Sequence, residues 1–194
     1  MKCPKCEWQN PEGLKNCKCC QRPLVEGQPA LKLSADVVFC FDTTGSMGDE
    51  IEDLKTSALQ FAQGLNDEGV LYQIGLIEFR DLDDPETPEV TQMRVAVELS
   101  PNAFEFEKNI RELRPVAGGD DPESSLDAVW EALALQGYRD DCRKYIVLVT
   151  DAPPKDPDHS GRTSQDLVNH ILQRNDLRLM LVTPSIEPFV TMAK

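Results

Sequence analysis

The 194-residue sequence has no apolar run of about 18 residues, the length that a membrane-spanning helix needs. The first residues, from Met1 to Cys6, are not followed by the apolar stretch of a signal peptide. We therefore expect a cytoplasmic protein that has no membrane partner. In a reducing compartment, cysteines are expected as metal ligands before disulfides.

Basic residues are too few for a general nucleic-acid binder, so no nucleic-acid partner is expected. The chain has 20 Lys and Arg against 34 Asp and Glu, which gives a formal net charge of -14. Residues 1–26 hold five Lys and Arg and three Asp and Glu, a net charge of +2, and the remainder carries -16. This step in charge favours two units with different surfaces.

The common catalytic motifs are also missing. The chain has two histidines, His159 and His170, and neither a GxxxxGK[ST] phosphate loop nor a Gly-rich dinucleotide motif. His159 follows an acidic strand end, but a solvated loop histidine is the simpler interpretation. These absences favour a binding module and not an enzyme.

The first 20 residues contain two CxxC pairs separated by ten residues. Four thiolates at this spacing are typical of a closed, structural Zn²⁺ site. So short a segment cannot bury a stabilising core, and the metal would supply its folding free energy. A redox pair or a disulfide knot is the alternative. We predict a zinc ribbon over residues 1–26, followed by a linker over 27–33, with the ligands Cys3, Cys6, Cys17 and Cys20.

One apolar stretch ends in a carboxylate and two hydroxyls. Residues 37–41 are apolar throughout, as in a strand buried on both faces of a parallel sheet. Asp42, Thr44 and Ser46 follow at alternate positions, so an extended backbone points them the same way. These hard oxygen ligands suit Mg²⁺ or a similar cation. A strand-to-helix turn rich in N-cap residues is the plainer interpretation.

Strands and helices alternate along the rest of the chain. Helices are expected after the first strand, from Pro101 with Ser100 as N-cap, and from Pro122 with Asp121 as N-cap. The fourth strand ends in an acid, Asp151. The alternation predicts an α/β fold: a doubly wound, mostly parallel sheet with helices on both faces. The predicted strands cover about residues 35–42, 70–79, 92–99, 144–150 and 177–183.

Three separated elements, Asp42-Thr43-Thr44-Gly45-Ser46, Gly118-Gly119-Asp120-Asp121 and Thr150-Asp151, resemble the von Willebrand factor type A family. The resemblance covers about residues 33–194 and implies a Rossmann-like von Willebrand A fold. It also implies a metal-ion-dependent adhesion site (MIDAS) for Mg²⁺, or for Mn²⁺ or Ca²⁺. The implied metal residues are Asp42, Thr44, Ser46, Asp120 and Asp151.

The same resemblance implies a protein partner, captured when its acidic side chain completes the metal shell within a larger intracellular assembly. Asp120 stands where the family has a threonine. A third carboxylate would tighten cation binding and weaken the pull of the ion on that acidic side chain.

The end of the chain departs from the family pattern. Residues 34–194 offer five strands, whereas a full von Willebrand A sheet has six. We therefore expect the fifth strand to be an exposed edge. Either Leu179 and Leu181, or Met180 and Val182, should lack full cover on one side.

An enzyme reading of the same stretch stays open. A haloacid-dehalogenase-like phosphotransferase or phosphatase also places a nucleophilic aspartate after an apolar strand, and Asp42 would be that nucleophile. Thr44 argues against this alternative, because most members of that class have a second aspartate at its position.

Overall fold

The computed structural model describes most of the chain as two compact units, residues 1–33 and residues 34–194. None of the described helices combines the length and the apolar character needed to cross a bilayer. The described residues are 2–3, 8–14, 17–19, 24, 33–84, 91–116 and 121–193.

Within the described residues, five strands form one sheet in the order β3-β2-β1-β4-β5. Strand β3 is antiparallel to β2, and the other neighbours are parallel. This confirms the predicted mostly parallel α/β sheet, with β1 at its centre. The strands are β1 (Ser34–Asp42), β2 (Leu71–Phe79), β3 (Met93–Ser100), β4 (Arg143–Val149) and β5 (Leu177–Val182).

Helices cover both faces of this sheet, as predicted. Apolar side chains of α1 and α2 pack on one face, and those of α3, α4 and α5 pack on the other. A 3₁₀ turn over Gly45–Asp49 leads from β1 into α1. The helices are α1 (Ile51–Asp67), α2 (Ala103–Glu112), α3 (Ser125–Ala134), α4 (Ser164–Leu172) and α5 (Phe189–Met192).

Strand β1 is buried on both of its faces. Phe39 and Phe41 belong to the core on the α1 side, and Val38 and Cys40 to the core on the α3 side. The continuous apolar run therefore has the explanation expected of a central parallel strand. Because neighbouring strands are parallel, β1 and β4 deliver their last residues to the same edge.

Two predicted helix starts are wrong. Helix α2 begins at Ala103, because Asn102 caps it by accepting a hydrogen bond from the Glu105 backbone N–H (3.4 Å). Helix α3 begins at Ser125, so Pro122 is not its first residue and Asp121 is not its N-cap. Glu123, the residue after Pro122, instead pairs through its backbone with Pro154 in the loop after β4.

Strand β5 forms one edge of the described sheet. Met180 and Val182 are 46% and 45% exposed, which confirms the prediction that one side of this strand lacks full cover. Leu179 and Leu181 lie on the other side and pack against the core beneath α4 and α5.

Candidate metal centre

Strand β1 ends in a buried carboxylate that accepts hydrogen bonds on both oxygens. Asp42 Oδ1 accepts from the Thr44 backbone N–H (2.9 Å) and from Thr44 Oγ1 (2.7 Å). Asp42 Oδ2 accepts from Thr150 Oγ1 (2.5 Å), which follows β4. Both Asp42 and Thr44 are almost fully shielded from solvent. The carboxylate is therefore fixed in direction by residues from both strands.

Ser46 and Asp151, which are less buried than Asp42 and Thr44, extend this arrangement towards solvent. The Thr44 and Ser46 hydroxyl oxygens are 3.0 Å apart, and Ser46 Oγ donates to Asp151 Oδ1 at 3.1 Å. Each hydroxyl has one hydrogen, which it donates to a carboxylate, so the Thr44 and Ser46 oxygens meet through their lone pairs. Four predicted metal residues thus form one continuous line of polar contacts. We call this group, Asp42, Thr44, Ser46 and Asp151, the hydroxyl site.

The chemistry of the hydroxyl site fits a hard divalent cation. It offers two carboxylates and two hydroxyl oxygens, and Mg²⁺ is bound in proteins by one or two carboxylates together with other oxygens. Burial raises the pKa of Asp42, and the nearby charge of Asp151 raises it further, against the hydrogen bonds from Thr150 and Thr44. A cation at this position would stabilise the charged form of Asp42.

The fifth predicted residue, Asp120, lies outside the described residues, as do Gly118 and Gly119. In the part of the chain that is described, no three Asp, Glu, His or Cys side chains converge as a metal-binding group. The hydroxyl site is consistent with this finding, because its described members include only two acids.

A second acidic group lies at the ends of β2 and β4, and it contains its own cations. Lys155 Nζ forms ion pairs with Asp81 and, at 2.8 Å, with Asp83. His159 bridges Asp83 and Asp127, with Nε2 at 2.9 Å from the first and Nδ1 at 3.0 Å from the second. We call these five residues the charged clamp. They join the loop after β2, the loop after β4 and helix α3.

The charged clamp corrects the expectation that His159 is a solvated loop histidine. Its side chain is only 31% exposed and contacts two carboxylates. Its partners lie 32 and 76 residues away in sequence, so no local pattern could have identified them. Asp81 likewise pairs with a lysine from a distant loop.

Sequence reasoning also missed Glu123, which it placed in the first turn of a helix. The Glu123 backbone N–H donates to the Pro153 carbonyl (2.9 Å), and its carbonyl accepts from the Lys155 N–H (2.7 Å). The residue is 2% exposed, and its Oε2 has no hydrogen-bond partner among the described residues. Burial raises the pKa of Glu123 to about 8, and the charges of Asp42, Asp81 and Asp121 contribute.

In the small unit, two predicted zinc ligands are described. Cys3 and Cys17 are buried in one cluster with Leu24. Cys17 Sγ accepts from the Cys19 backbone N–H (3.3 Å) and from Asn10 Nδ2 (3.4 Å). The other two predicted ligands, Cys6 and Cys20, lie outside the described residues, so the zinc ribbon stays a prediction.

A family model described as von Willebrand factor A domain matches residues 36–186. Hemicentin-1 of Mus musculus is 32% identical over 154 residues, which cover 77% of this chain and 2% of that protein. The chain therefore spans a very small part of that relative.

Among solved structures, the three N-terminal domains of the type V pili tip protein Mfa5 from Porphyromonas gingivalis match with a TM-score of 0.47. That match has 19% sequence identity and covers 61% of this chain and 20% of the other.

Proposed function

The chain belongs to the von Willebrand factor A domain family, whose members are protein-interaction modules, and we propose that it binds a protein partner through a divalent cation. The proposed ion is Mg²⁺, with Mn²⁺ and Ca²⁺ as substitutes. Its proposed oxygen ligands are the residues of the hydroxyl site together with Asp120.

The observation that supports this proposal best is the continuous line of polar contacts from Asp42 to Asp151, in which the two hydroxyl oxygens lie 3.0 Å apart and both donate their hydrogens to carboxylates. The hydroxyl oxygens of Thr44 and Ser46 have lone pairs that can turn to a cation, and both carboxylates are already held beside them. A divalent ion supplies an open coordination position, which an acidic side chain of a partner can fill. Asp42 is buried whereas Ser46 is exposed, so an ion held here would be reached from the Ser46 side.

The burial of Asp42 also weighs against the phosphotransferase alternative. A nucleophilic carboxylate must present an oxygen to the incoming phosphorus atom. Both oxygens of Asp42 accept hydrogen bonds, and the residue is fully buried. Phosphoryl transfer needs direct contact of Asp42 with phosphorus, whereas Asp42 can act on a cation through water, so the hydroxyl site favours binding.

Calorimetric titration of the purified chain with Mg²⁺ tests the proposal. We expect binding to the native chain, with added stability of about 2.7 kcal/mol at an ion concentration 100 times the Kd. Asp42→Asn keeps hydrogen-bonding atoms at both positions of the carboxylate, so it should fold and lose this response. Equal Mg²⁺ binding by Asp42→Asn would exclude the hydroxyl site.

The same preparations separate binding from catalysis. Incubation with a small phosphate donor followed by intact mass measurement should show no added phosphoryl group. A covalent phosphate on the native chain that is lost in Asp42→Asn would establish the phosphotransferase alternative instead.

We also propose that the small unit binds one Zn²⁺ through Cys3, Cys6, Cys17 and Cys20, and that the partner belongs to an intracellular assembly. The hydrogen bond from the Cys19 N–H to Cys17 Sγ supports the first part, because thiolate ligands commonly accept such bonds. Metal analysis should find about one zinc per chain. Its loss in Cys17→Ser, with the Mg²⁺ response intact, would agree with two independent sites.

A further inference from the structure

Glu123 is held rigidly beside the loop that carries Asp151. Its backbone forms an isolated parallel bridge with Pro154, through hydrogen bonds to Pro153 and Lys155 on either side. The bridge follows Asp151 in sequence by only a few residues. Glu123 is thus positioned by the same loop that brings the second carboxylate to the hydroxyl site.

The side chain of Glu123 lacks the partners that a buried acid needs. Its Oε2 accepts no hydrogen bond from any described residue, and neither does the buried Ser125 Oγ two residues further on. An unpartnered buried polar group destabilises the folded state, and a charged group does so more strongly. Buried polar groups in native proteins normally have hydrogen-bond partners, so the unpartnered Oε2 of Glu123 indicates a role beyond packing.

The charges around Glu123 make its burial more costly. Asp42, Asp81 and Asp121 repel its carboxylate, and Lys155 is the cation that attracts it. Lys155 is itself engaged by Asp81 and Asp83. A buried acid beside Asp42 without its own counter-ion is the arrangement that an additional cation would relieve.

We propose that Glu123 is a positioning residue of the cation site, where it raises the affinity for a divalent ion without ligating it directly. This inference rests on the proposed function. Glu123 does not form a three-acid ligand group with Asp42 and Asp151, since no such group exists among the described residues. With a pKa of about 8, Glu123 is largely protonated near pH 7 in the metal-free chain, and a bound cation would favour its ionised form, whose charge would then attract the ion.

Glu123→Gln tests the proposal, because it removes the ability to ionise and preserves the shape. In calorimetric titration of the full chain with Mg²⁺, this variant should bind about tenfold to a hundredfold more weakly than the native chain. Glu123→Asp keeps a carboxylate and should recover part of the affinity. Glu131→Gln, at an exposed position on helix α3, which follows Glu123 in the chain, is the matched control and should bind like the native chain.

A second readout separates cation binding from a purely structural role. In EDTA near pH 7, the melting temperature of Glu123→Gln should equal that of the native chain, because the native Glu123 side chain is itself largely protonated there. An equal loss of melting temperature in EDTA and in Mg²⁺ would overturn the inference.

The failures of the two proposals can be told apart. Native Mg²⁺ affinity in Glu123→Gln, with binding lost in Asp42→Asn, would overturn the role of Glu123 and leave the hydroxyl site standing. An absence of Mg²⁺ binding by the native chain would overturn both.

Discussion

The hydroxyl site and the charged clamp both place acids at the carboxyl ends of parallel strands, but they treat charge in opposite ways. In the charged clamp, Lys155 and His159 lie between the carboxylates. In the hydroxyl site, the polar contacts of Asp42 come from the hydroxyls of Thr44 and Thr150 and from a backbone N–H. In the clamp, cationic side chains offset most of the negative charge, and in the hydroxyl site the contacts of Asp42 come from neutral donors.

This difference shows how a buried acidic cluster can be either structural or functional. Ion pairs connect the loops after β2 and β4 to helix α3, and they reduce the attraction of this cluster for an outside ion. Neutral donors fix the carboxylates but do not cancel their charge, so the hydroxyl site still attracts a cation. Because Asp42 of the hydroxyl site and the neighbouring Glu123 are both buried, solvent screens little of their negative charge.

The largest expected effect comes from removing the internal cation of the charged clamp. Lys155→Met should destabilise the chain by about 3 kcal/mol in urea unfolding, because it leaves the buried Asp81 without a counter-ion. Adding Asp81→Asn should restore part of this loss, since the two residues act as a pair. A change of less than about 0.5 kcal/mol would show that the clamp does not stabilise the loops.

The control for this variant is Lys108→Met, at an exposed position of α2. It should change the free energy of unfolding by less than about 0.5 kcal/mol. The comparison would fail if saturating Mg²⁺ rescued Lys155→Met fully, because the clamp would then itself accept an outside ion.

A smaller effect is expected at the solvent side of the hydroxyl site. Ser46→Ala removes one proposed oxygen ligand and the hydrogen bond to Asp151. It should weaken Mg²⁺ binding about tenfold, or about 1.4 kcal/mol, as measured by calorimetry. Metal-free stability should change by less than about 0.5 kcal/mol, because Ser46 is exposed.

Ser57→Ala provides the matched hydroxyl control. Ser57 is also exposed, but its hydroxyl donates to the backbone carbonyl of Asp53 within α1 and not to a carboxylate. Its Mg²⁺ affinity should equal that of the native chain. Equal affinities for Ser46→Ala and Ser57→Ala would show that the Ser46 hydroxyl contributes nothing to ion binding.

The sheet and the hydroxyl site were predictable because their signals are local. The apolar run of β1 and the alternate spacing of Asp42, Thr44 and Ser46 lie within ten residues. The parallel order of β1 and β4 then places Asp151 beside them. The same logic could predict that an acid ends each of the two strands, but not the hydrogen bonds between them.

The charged clamp and Glu123 were not predictable, because their contacts join distant segments. The Lys155 and Asp81 pair spans 74 residues, and the His159 and Asp127 pair spans 32. Pro122 is a valid local signal for a helix start, but the bridge between Glu123 and Pro154 keeps this segment extended, and the helix begins at Ser125. The contacts that distinguish the charged clamp from the hydroxyl site are thus tertiary contacts between distant segments.

The smallest expected effect concerns the second cation of the clamp, whose charge depends on pH. Burial lowers the pKa of His159, but its hydrogen bonds to Asp127 and Asp83 and their charges outweigh burial and raise it above the ordinary 6.5. The folded state therefore holds this proton more tightly than the unfolded state does. The resulting stabilisation is fully present below about pH 6.5 and is lost as the pH rises through the folded pKa.

We expect His159→Gln to lose this pH-dependent stabilisation of about 0.5–1 kcal/mol, since the ion pairs of His159 are partly exposed. Urea unfolding at about pH 6 and pH 8.5 measures it: the native chain should lose more stability over this interval than the variant. His170→Gln is the control, because His170 packs against the Trp130 ring and should keep the native pH dependence. If His159→Gln and His170→Gln show the same pH dependence, His159 is not a working cation of the clamp. The contrast with the hydroxyl site would then rest on Lys155 alone.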